Sequence, residues 1–303
     1  MSIETSTHIT FPSGAVTGIS HILAIKPFIH DLSKCVVITA STPFHPVDYN
    51  WPDQPSDRGA IKITGQTIAV ENCYMAAFQR ETDEFLLDQE IKDKKIRRDD
   101  LNWLFLVAHL VDMKSHDALS VGQEVELVVD ADYRLILSRS HTACHLASLA
   151  LNQITASFWK KIPDRIDSFG NPNLDGMAVL SSKVTEQGGC DHYRCGSSLK
   201  RQGFEVARFL DDATLKMVET QVNQLLRSWC QQNSGLHITM SPNTSFIHER
   251  RDWLCTFTDG RIAKIPCGGT HVATILPTET VVIAFERCEA VEFIMHSKIV
   301  AVE

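Results

Sequence analysis

The segment Ser140-His-Thr-Ala-Cys-His-Leu-Ala-Ser-Leu-Ala-Leu-Asn-Gln153 joins two histidines to a run of mostly apolar residues. His141 and His145 are four positions apart, so on an α-helix both imidazoles project from one face and can reach a single ion. Far downstream, Cys267-Gly-Gly-Thr-His271 repeats that spacing. One thiolate and three neutral imidazoles suit Zn²⁺. The two segments together predict one zinc ion per chain, held by His141, His145, Cys267 and His271.

Neither pair is decisive alone. Two histidines at helical spacing are more often part of an ordinary helix face than of a metal site. A cysteine such as Cys267 is as often a small buried residue as a ligand. The presence of both pairs in one chain reverses that balance, and Gly268 and Gly269 allow the backbone to turn tightly around an ion.

The paired motifs resemble the signature of the editing domain of alanyl-tRNA synthetase and of its free-standing relatives, the AlaX trans-editing proteins. In that family the four positions surround zinc in an α/β domain that hydrolyses mischarged aminoacyl-tRNA. The resemblance implies a metal-dependent, ATP-independent aminoacyl-tRNA deacylase in which His141 and His145 are catalytic as well as ligands. It also implies an α+β fold, with a small N-terminal β-barrel and a metal-binding domain like the second additional domain of threonyl- and alanyl-tRNA synthetases, in which helices lie on a mostly antiparallel sheet.

Strand-like segments dominate the first part of the chain. Short β-branched runs at 35–40, 60–64 and 67–70 are separated by turn-rich segments, as in a small barrel. The apolar block 101–111 reads as one or two further strands, and 122–130 alternates as a strand ahead of the histidine helix. The predicted domains are residues 1–119, a β-barrel domain with an altered glycine-rich loop, and residues 120–303, a zinc-binding hydrolase domain.

Two long helices are predicted for the second domain. The first covers residues 141–159 and is capped by Ser138 or Ser140. Its buried stripe would comprise Leu146, Leu149, Ala150, Ile154 and Phe158. The second begins at Asp211, has apolar residues at helical spacing and ends at Gly235.

Substrate contacts follow from the resemblance. The segments Ser41–Pro46 and Gln54–Gly59 are similar to the family's barrel, where Thr-x-Phe leads into a glycine-rich loop that ends in Gln and Asp-x-Gly. This chain has Tyr49–Asp53 in place of the glycines, and such bulky residues cannot copy a glycine loop's backbone. Residues 180–184 resemble the strand that places a hydroxyl near the amino acid, although an ordinary half-exposed strand is the alternative. The predicted substrate-binding residues are Gln54, Asp57, Thr142 and Ser182.

Composition sets the compartment and the partners that we expect. The 303 residues are 44% apolar and 22% charged, which is typical of a globular protein. No apolar run reaches membrane-spanning length, and the first residues lack a signal-peptide pattern. Nine cysteines form an odd set without a repeated framework, so we expect reduced thiols in a cytoplasmic protein without a membrane partner. The sequence also allows a homodimer.

The acidic balance limits how nucleic acid can bind. A formal net charge of -8 argues against tight, non-specific binding of nucleic acid, so DNA is not an expected partner. Contact with aminoacyl-tRNA would be transient or would use a local basic patch. The mixed-charge run 90–100 is either a solvent-exposed segment or, at its basic centre, a patch that contacts tRNA.

A second group of metal-binding residue types occurs at Cys190, His192 and Cys195. These three residues fall on a predicted turn and have no fourth partner nearby in the sequence, so we favour an ordinary turn.

The predicted activity is hydrolysis of Ser-tRNA(Ala) first and Gly-tRNA(Ala) second. One enzyme alternative is a metallohydrolase of a small ester or amide, favoured by the acidic charge and the altered loop. A non-catalytic, zinc-stabilised module that binds tRNA or a synthetase is the third hypothesis. Because four protein ligands would close a tetrahedral site, either a histidine gives way to water or the metal becomes five-coordinate.

Overall fold

The computed structural model describes residues 3–231, 235–241 and 244–302. It is a mixed α+β fold with mostly antiparallel sheets, which confirms the predicted fold class at that level. The chain forms two compact units. The first comprises Met1–Leu135, Ser241–Arg251 and Gly268–Thr270, and the second comprises Ile136–Met240, Asp252–Cys267 and His271–Glu303. Among the described residues, no helix has the length and apolar character that a membrane span requires.

Strands make up most of the first unit. They are β1 (His8–Ile9), β2 (Thr17–Pro27), β3 (Lys34–Thr39), β4 (Ser41–Thr42), β5 (Gly59–Ile63), β6 (Gln66–Val70), β7 (Asn72–Gln79), β8 (Glu84–Leu87), β9 (Trp103–Asp112) and β10 (Glu124–Val129). A short helix, α1 (Gln89–Asp93), follows β8, and single 3-10 turns cover Phe11–Ser13 and Met113–Ala118. The apolar block predicted as strand is therefore β9.

Eight of these strands form one antiparallel sheet in the order β6-β5-β10-β2-β3-β9-β7-β8, while β1 and β4 pair in parallel. The predicted barrel is not closed, since no pairing joins β6 to β8 within the described residues. At this edge of the sheet β8 has four residues, and the chain continues into α1. The first unit runs on to Leu135 because β10 pairs with both β2 and β5. As domains, the ranges 1–119 and 120–303 stay a prediction.

The central strands of this sheet are buried on both faces. Along β3, Cys35 and Val37 contact one hydrophobic cluster, whereas Val36 and Ile38 contact another. This division follows the two-residue period of a strand. It also explains why the sequence of β9 reads as a continuous apolar run rather than as an alternating one.

The histidine helix, α2 (Ala131–Thr155), starts earlier than predicted. Asp130 precedes it, and its carboxylate accepts a hydrogen bond of 3.1 Å from the backbone N–H of Tyr133, which satisfies one of the free donors at a helix start. Ser138 and Ser140 therefore lie inside the helix and do not cap it. As a consequence, His141 and His145 lie in the middle of a long helix rather than in its first turn.

The second unit continues with further helices and two sheets. The helices are α3 (Leu174–Ala178), α4 (Ser197–Gln202), α5 (Val206–Phe209) and α6 (Asp212–Cys230), with a 3-10 turn at Ala156–Phe158. The strands are β11 (Val179–Thr185), β12 (Gly188–Arg194), β13 (Leu236–Met240), β14 (Asp252–Thr256), β15 (Ile262–Pro266), β16 (Thr274–Ile275), β17 (Glu279–Glu289) and β18 (Glu292–Ala301). Their orders are β11-β12-β18-β17 and β15-β14-β13-β16, all antiparallel.

One hydrophobic cluster holds the second unit together. It contains the predicted buried stripe of α2, including Leu146 and Ala150, and the apolar face of α6, including Val218 and Val222. Helix α6 begins at Asp212, one residue after the predicted start, and Asp211 caps it by accepting a hydrogen bond from the N–H of Thr214. Helix α6 ends at Cys230 rather than at Gly235. The packing of both helices into one core fixes the side of α2 that carries the two histidines.

Candidate metal centre

The structure brings the four predicted ligands together within the second unit. His141 and His145 project from the middle of α2, and Cys267 follows directly after β15. The sulfur of Cys267 lies 3.5 Å from Nε2 of His141 and 3.3 Å from Nε2 of His271. One nitrogen or sulfur atom from each of the four side chains lies within 4.8 Å of the others. Each of the two motifs thus contributes two donor atoms to one cluster.

The donor set fits a metal ion. Nε2 of His145 is buried and has no hydrogen-bond partner among the described residues. A buried polar nitrogen without a partner is costly and needs an explanation. A metal ion supplies that partner, and an N₃S donor set is one that zinc accepts.

Electrostatics favour the protonation states that bind metal. Burial alone would raise the pKa of the Cys267 thiol, but the imidazoles of His141, His145 and His271 together lower it well below its usual value. Burial, followed by the neighbouring His141, lowers the pKa of His271 to about 3. Both shifts favour the forms that bind metal, which are a thiolate at Cys267 and a neutral imidazole at His271.

Thr142 orients one of the ligands. Its Oγ1 lies 3.2 Å from Nδ1 of His271 and accepts a hydrogen bond of 3.3 Å from the N–H of Val272. Because Nε2 of His271 faces the Cys267 sulfur, the Thr142 hydroxyl holds the opposite side of that ring. Such a contact fixes the orientation of a ligating histidine and the nitrogen that faces the ion.

The comparisons with known proteins give a partial similarity. No family model matches the chain. It is similar to the alanyl-tRNA editing protein AlaX-M of Pyrococcus horikoshii, with 26% identity over 169 residues. That similarity covers 56% of this chain and 57% of the relative. The chain therefore matches little more than half the length of this relative.

Gln54 makes a double contact in the first unit. Its side-chain Nε2 donates to Oγ1 of Thr270 at 2.8 Å, and its Oε1 accepts from the N–H of Thr270 at 2.9 Å. Gln54 is 1% exposed. Thr270 precedes His271 in the chain, so Gln54 restrains the backbone beside a predicted ligand. Its predicted contact with substrate stays a prediction.

Asp57 is part of a buried ion pair in the first unit. Nε of Arg134 donates to its Oδ1 at 2.6 Å, and Nη2 of the same guanidinium contacts Oδ2. Arg134 also donates to the carbonyl oxygen of Pro43 at 2.7 Å. Burial raises the pKa of Asp57, while the Arg134 guanidinium opposes that rise. These contacts give Asp57 a structural role, and its predicted role in substrate binding stays a prediction.

Ser182 has a hydrogen-bond partner within the second unit. The hydroxyl of Ser182, on β11, donates to the carboxylate of Asp191 at 2.5 Å.

In the altered loop, Tyr49 is buried and Trp51 is 46% exposed. The two bulky residues of this loop therefore have opposite environments, since Tyr49 packs into the core of the first unit.

Asp175 is a nearby charge that sequence reasoning missed. It lies on α3 and accepts a hydrogen bond of 2.7 Å from the hydroxyl of Tyr193. Burial raises the pKa of Asp175, and the Tyr193 hydrogen bond and the imidazole of His145 oppose that rise. Its segment, Asn171-Pro-Asn-Leu-Asp175, reads as an ordinary turn and helix start. Only the folding of α3 beside α2 reveals that a carboxyl group lies close enough to His145, a predicted ligand, for the two groups to interact.

Proposed function

We propose that this protein is a zinc-dependent aminoacyl-tRNA deacylase that removes the wrong amino acid from mischarged tRNA(Ala), serine first and glycine second, without ATP. The observation that carries the proposal is the convergence of His141, His145, Cys267 and His271 on one point. The similarity to AlaX-M supports the choice of substrate. We place the protein in the cytoplasm, with aminoacyl-tRNA as a transient partner.

The chain's own residues prepare the site for an ester. Zinc, when bound, supplies a Lewis acid and lowers the pKa of a coordinated water. The Cys267 thiolate and the three histidines would hold it, and Thr142 keeps the His271 ring in place. Because four protein donors would fill a tetrahedral site, His141 or His145 would also have to take part in proton transfer rather than serve only as a ligand.

A basic groove in the first unit suits contact with the tRNA backbone. Five lysine and arginine side chains and three carboxylates line it, so the groove is net positive although the chain is net negative. Its volume is about 790 Å³, and its lining includes Lys92, Lys95, Arg97, Arg98 and Arg250. Phosphate contacts of this kind position nucleic acid without reading its sequence. The groove includes the basic centre of the 90–100 run.

The direct test is deacylation of tRNA(Ala) charged separately with serine, glycine and alanine. We expect Ser-tRNA(Ala) to be hydrolysed fastest and Ala-tRNA(Ala) slowest, because a site that hydrogen-bonds the seryl hydroxyl leaves its polar groups unpaired with alanine. A chelator should stop the reaction, and added zinc should restore it. Hydrolysis of small esters without any deacylation would favour the metallohydrolase alternative. Zinc-loaded protein that binds tRNA(Ala) but hydrolyses nothing would favour the binding module.

Gln54→Ala tests whether the first unit takes part in substrate choice. If Gln54 hydrogen-bonds the seryl hydroxyl, its loss should weaken transition-state binding of Ser-tRNA(Ala) by about 1 to 3 kcal/mol, with less effect on Gly-tRNA(Ala). Single-turnover rates on the two substrates measure the difference. Thr270→Val is the matched control, because it removes the hydroxyl partner of Gln54 but keeps the glutamine.

The pattern of rates distinguishes the two roles of Gln54. An equal loss on both substrates in Gln54→Ala and Thr270→Val would mean that the glutamine only holds Thr270. Unchanged rates on both substrates in Gln54→Ala would exclude any part in recognition and would leave Thr142 and Ser182 as the residues to test.

A further inference from the structure

A second cluster of metal-binding side chains lies in the second unit. Nε2 of His192 lies 2.8 Å from Oε2 of Glu292 and 3.6 Å from the sulfur of Cys288. The three donor atoms all lie within 4.8 Å of one another. None of these residues belongs to the first metal centre.

The sheet β11-β12-β18-β17 brings the three side chains to one place. Tyr193 and Phe293 are opposite each other and buried, so their neighbours His192 and Glu292 point to the other face. The pairing of β17 with β18 shifts between Arg287 and Glu289, which leaves Cys288 as the extra residue of a β-bulge. A bulge redirects a side chain relative to a regular strand. Here it accompanies a thiol that contacts His192.

The sulfur-to-nitrogen separation matches that of a metal site, whereas the 2.8 Å between Nε2 of His192 and Oε2 of Glu292 is the length of a hydrogen bond. The sulfur-to-nitrogen distance of 3.6 Å is close to the 3.5 and 3.3 Å at the first centre. Two zinc ligands at about 2.0 and 2.3 Å from a tetrahedral ion are separated by about that much. Cys288 is exposed and His192 and Glu292 are partly exposed, so an ion can enter from solvent.

We propose that His192, Cys288 and Glu292 form a second, open metal site for a borderline divalent cation such as Zn²⁺. A thiolate with an imidazole and a carboxylate selects zinc-like ions over Mg²⁺ or Ca²⁺, which prefer oxygen ligands alone. Three protein donors leave a coordination position for water or another ligand. This proposal does not depend on the deacylase activity.

The structure also revises the second group considered from sequence. Cys190 and His192 lie on β12 (Gly188–Arg194) rather than on a turn, and Cys195 follows that strand directly. Cys195 is fully buried, and burial raises the pKa of its thiol to about 12. Of the three, His192 alone joins the new cluster, and its partners come from β17 and β18.

A matched control exists in the same sheet. Nε2 of His296 lies 3.0 Å from Oε2 of Glu286, and Glu286 is directly paired with Ile294, as is His192. This pair thus has the same histidine and carboxylate chemistry as His192 and Glu292. Cys288 contacts His192 and supplies the thiol that distinguishes the proposed site.

Cobalt titration of the full chain tests the site. The protein is first loaded with zinc at the first centre, freed of loosely held metal, kept reduced with a thiol-free reductant and then titrated with Co²⁺. We expect one equivalent to bind with a thiolate-to-cobalt charge-transfer band while one zinc per chain is retained. Cys288→Ser should lose the band and bind Co²⁺ at least about tenfold more weakly. Even changes to residues around metal ligands lower metal affinity by about 10- to 100-fold. His296→Ala should titrate like the wild type.

Three results would overturn the proposal. The first is a wild-type titration without a charge-transfer band while zinc is retained. The second is a band that persists in Cys288→Ser, because another thiol would then bind the cobalt. The third is an equal weakening in His296→Ala, which would show adventitious binding by surface imidazoles. Because no step uses tRNA, these results do not depend on the deacylation assay.

Discussion

His141→Ala is expected to lose its zinc, and its deacylation rate should fall at least about a hundredfold. Changes to residues around metal ligands lower metal affinity or activity by about 10- to 100-fold, and the loss of a ligand itself should lower them further. The fold should persist, since alanine is a good helix former in the middle of α2. Core residues such as Leu146 remain on the same helix. His145→Ala should behave alike, because its Nε2 is buried and has no hydrogen-bond partner among the described residues.

Metal content and rate must be measured on the same preparations. Zinc per chain is determined after purification without added metal, and far-ultraviolet circular dichroism checks the fold. His237→Ala is the control, since this histidine is exposed on β13 in the same unit. A variant without zinc that still deacylates at the wild-type rate would contradict the proposal. Wild-type protein without zinc would contradict the predicted metal site itself.

Asp57→Ala is expected to reduce the free energy of unfolding by about 3 to 5 kcal/mol, since it leaves the buried guanidinium of Arg134 without a counter-charge. Asp57 is fully buried, and Arg134 is 5% exposed. The double variant Asp57→Ala with Arg134→Met should recover much of the loss, because it removes the unpaired charge. Denaturant unfolding of the wild type, Asp57→Ala, Arg134→Met and the double variant measures the coupling.

An exposed ion pair supplies the control for this prediction. Arg97 and Asp99 form a similar pair near the surface, with both side chains well exposed. Asp99→Ala should change stability by no more than about 0.5 kcal/mol. Equal losses of unfolding free energy in Asp57→Ala and Asp99→Ala would show that burial does not increase the contribution of the Asp57 ion pair to stability. A loss of activity in folded Asp57→Ala that the double variant does not recover would support the predicted role in substrate binding.

Local periodicity accounts for most of what could be predicted. The spacing of His141 and His145 fixes a shared helix face, and the spacing of Leu215, Val218 and Val222 identifies α6 and its buried side. Alternation and β-branched residues identify the strands around residues 35, 60 and 125. These patterns follow from backbone geometry within one or two helical turns or within a few residues of a strand. They can therefore be recognised in a single segment of sequence.

The start of α2 and the open sheet were beyond such patterns. The helix begins at Ala131 because Asp130 caps it, yet the sequence also offers Ser138 and Ser140 as plausible caps. The choice depends on the pairing of β10, which ends at Val129 and fixes where the chain can turn. Closure of the sheet likewise depends on which strands end as edges, and no segment encodes that alone.

By itself, the sequence determined the α+β class, the two matched four-residue spacings and the residue types that suit zinc. The tertiary structure alone decided that Cys267 meets His141 across 126 positions of chain, that Asp175 lies near His145, that Asp57 is buried against Arg134 and that Cys288 joins His192. The physical reason is the range of the interactions. Helix and strand periodicities arise from neighbouring residues, whereas metal clusters, buried ion pairs and bulges depend on segments brought together by packing and strand register.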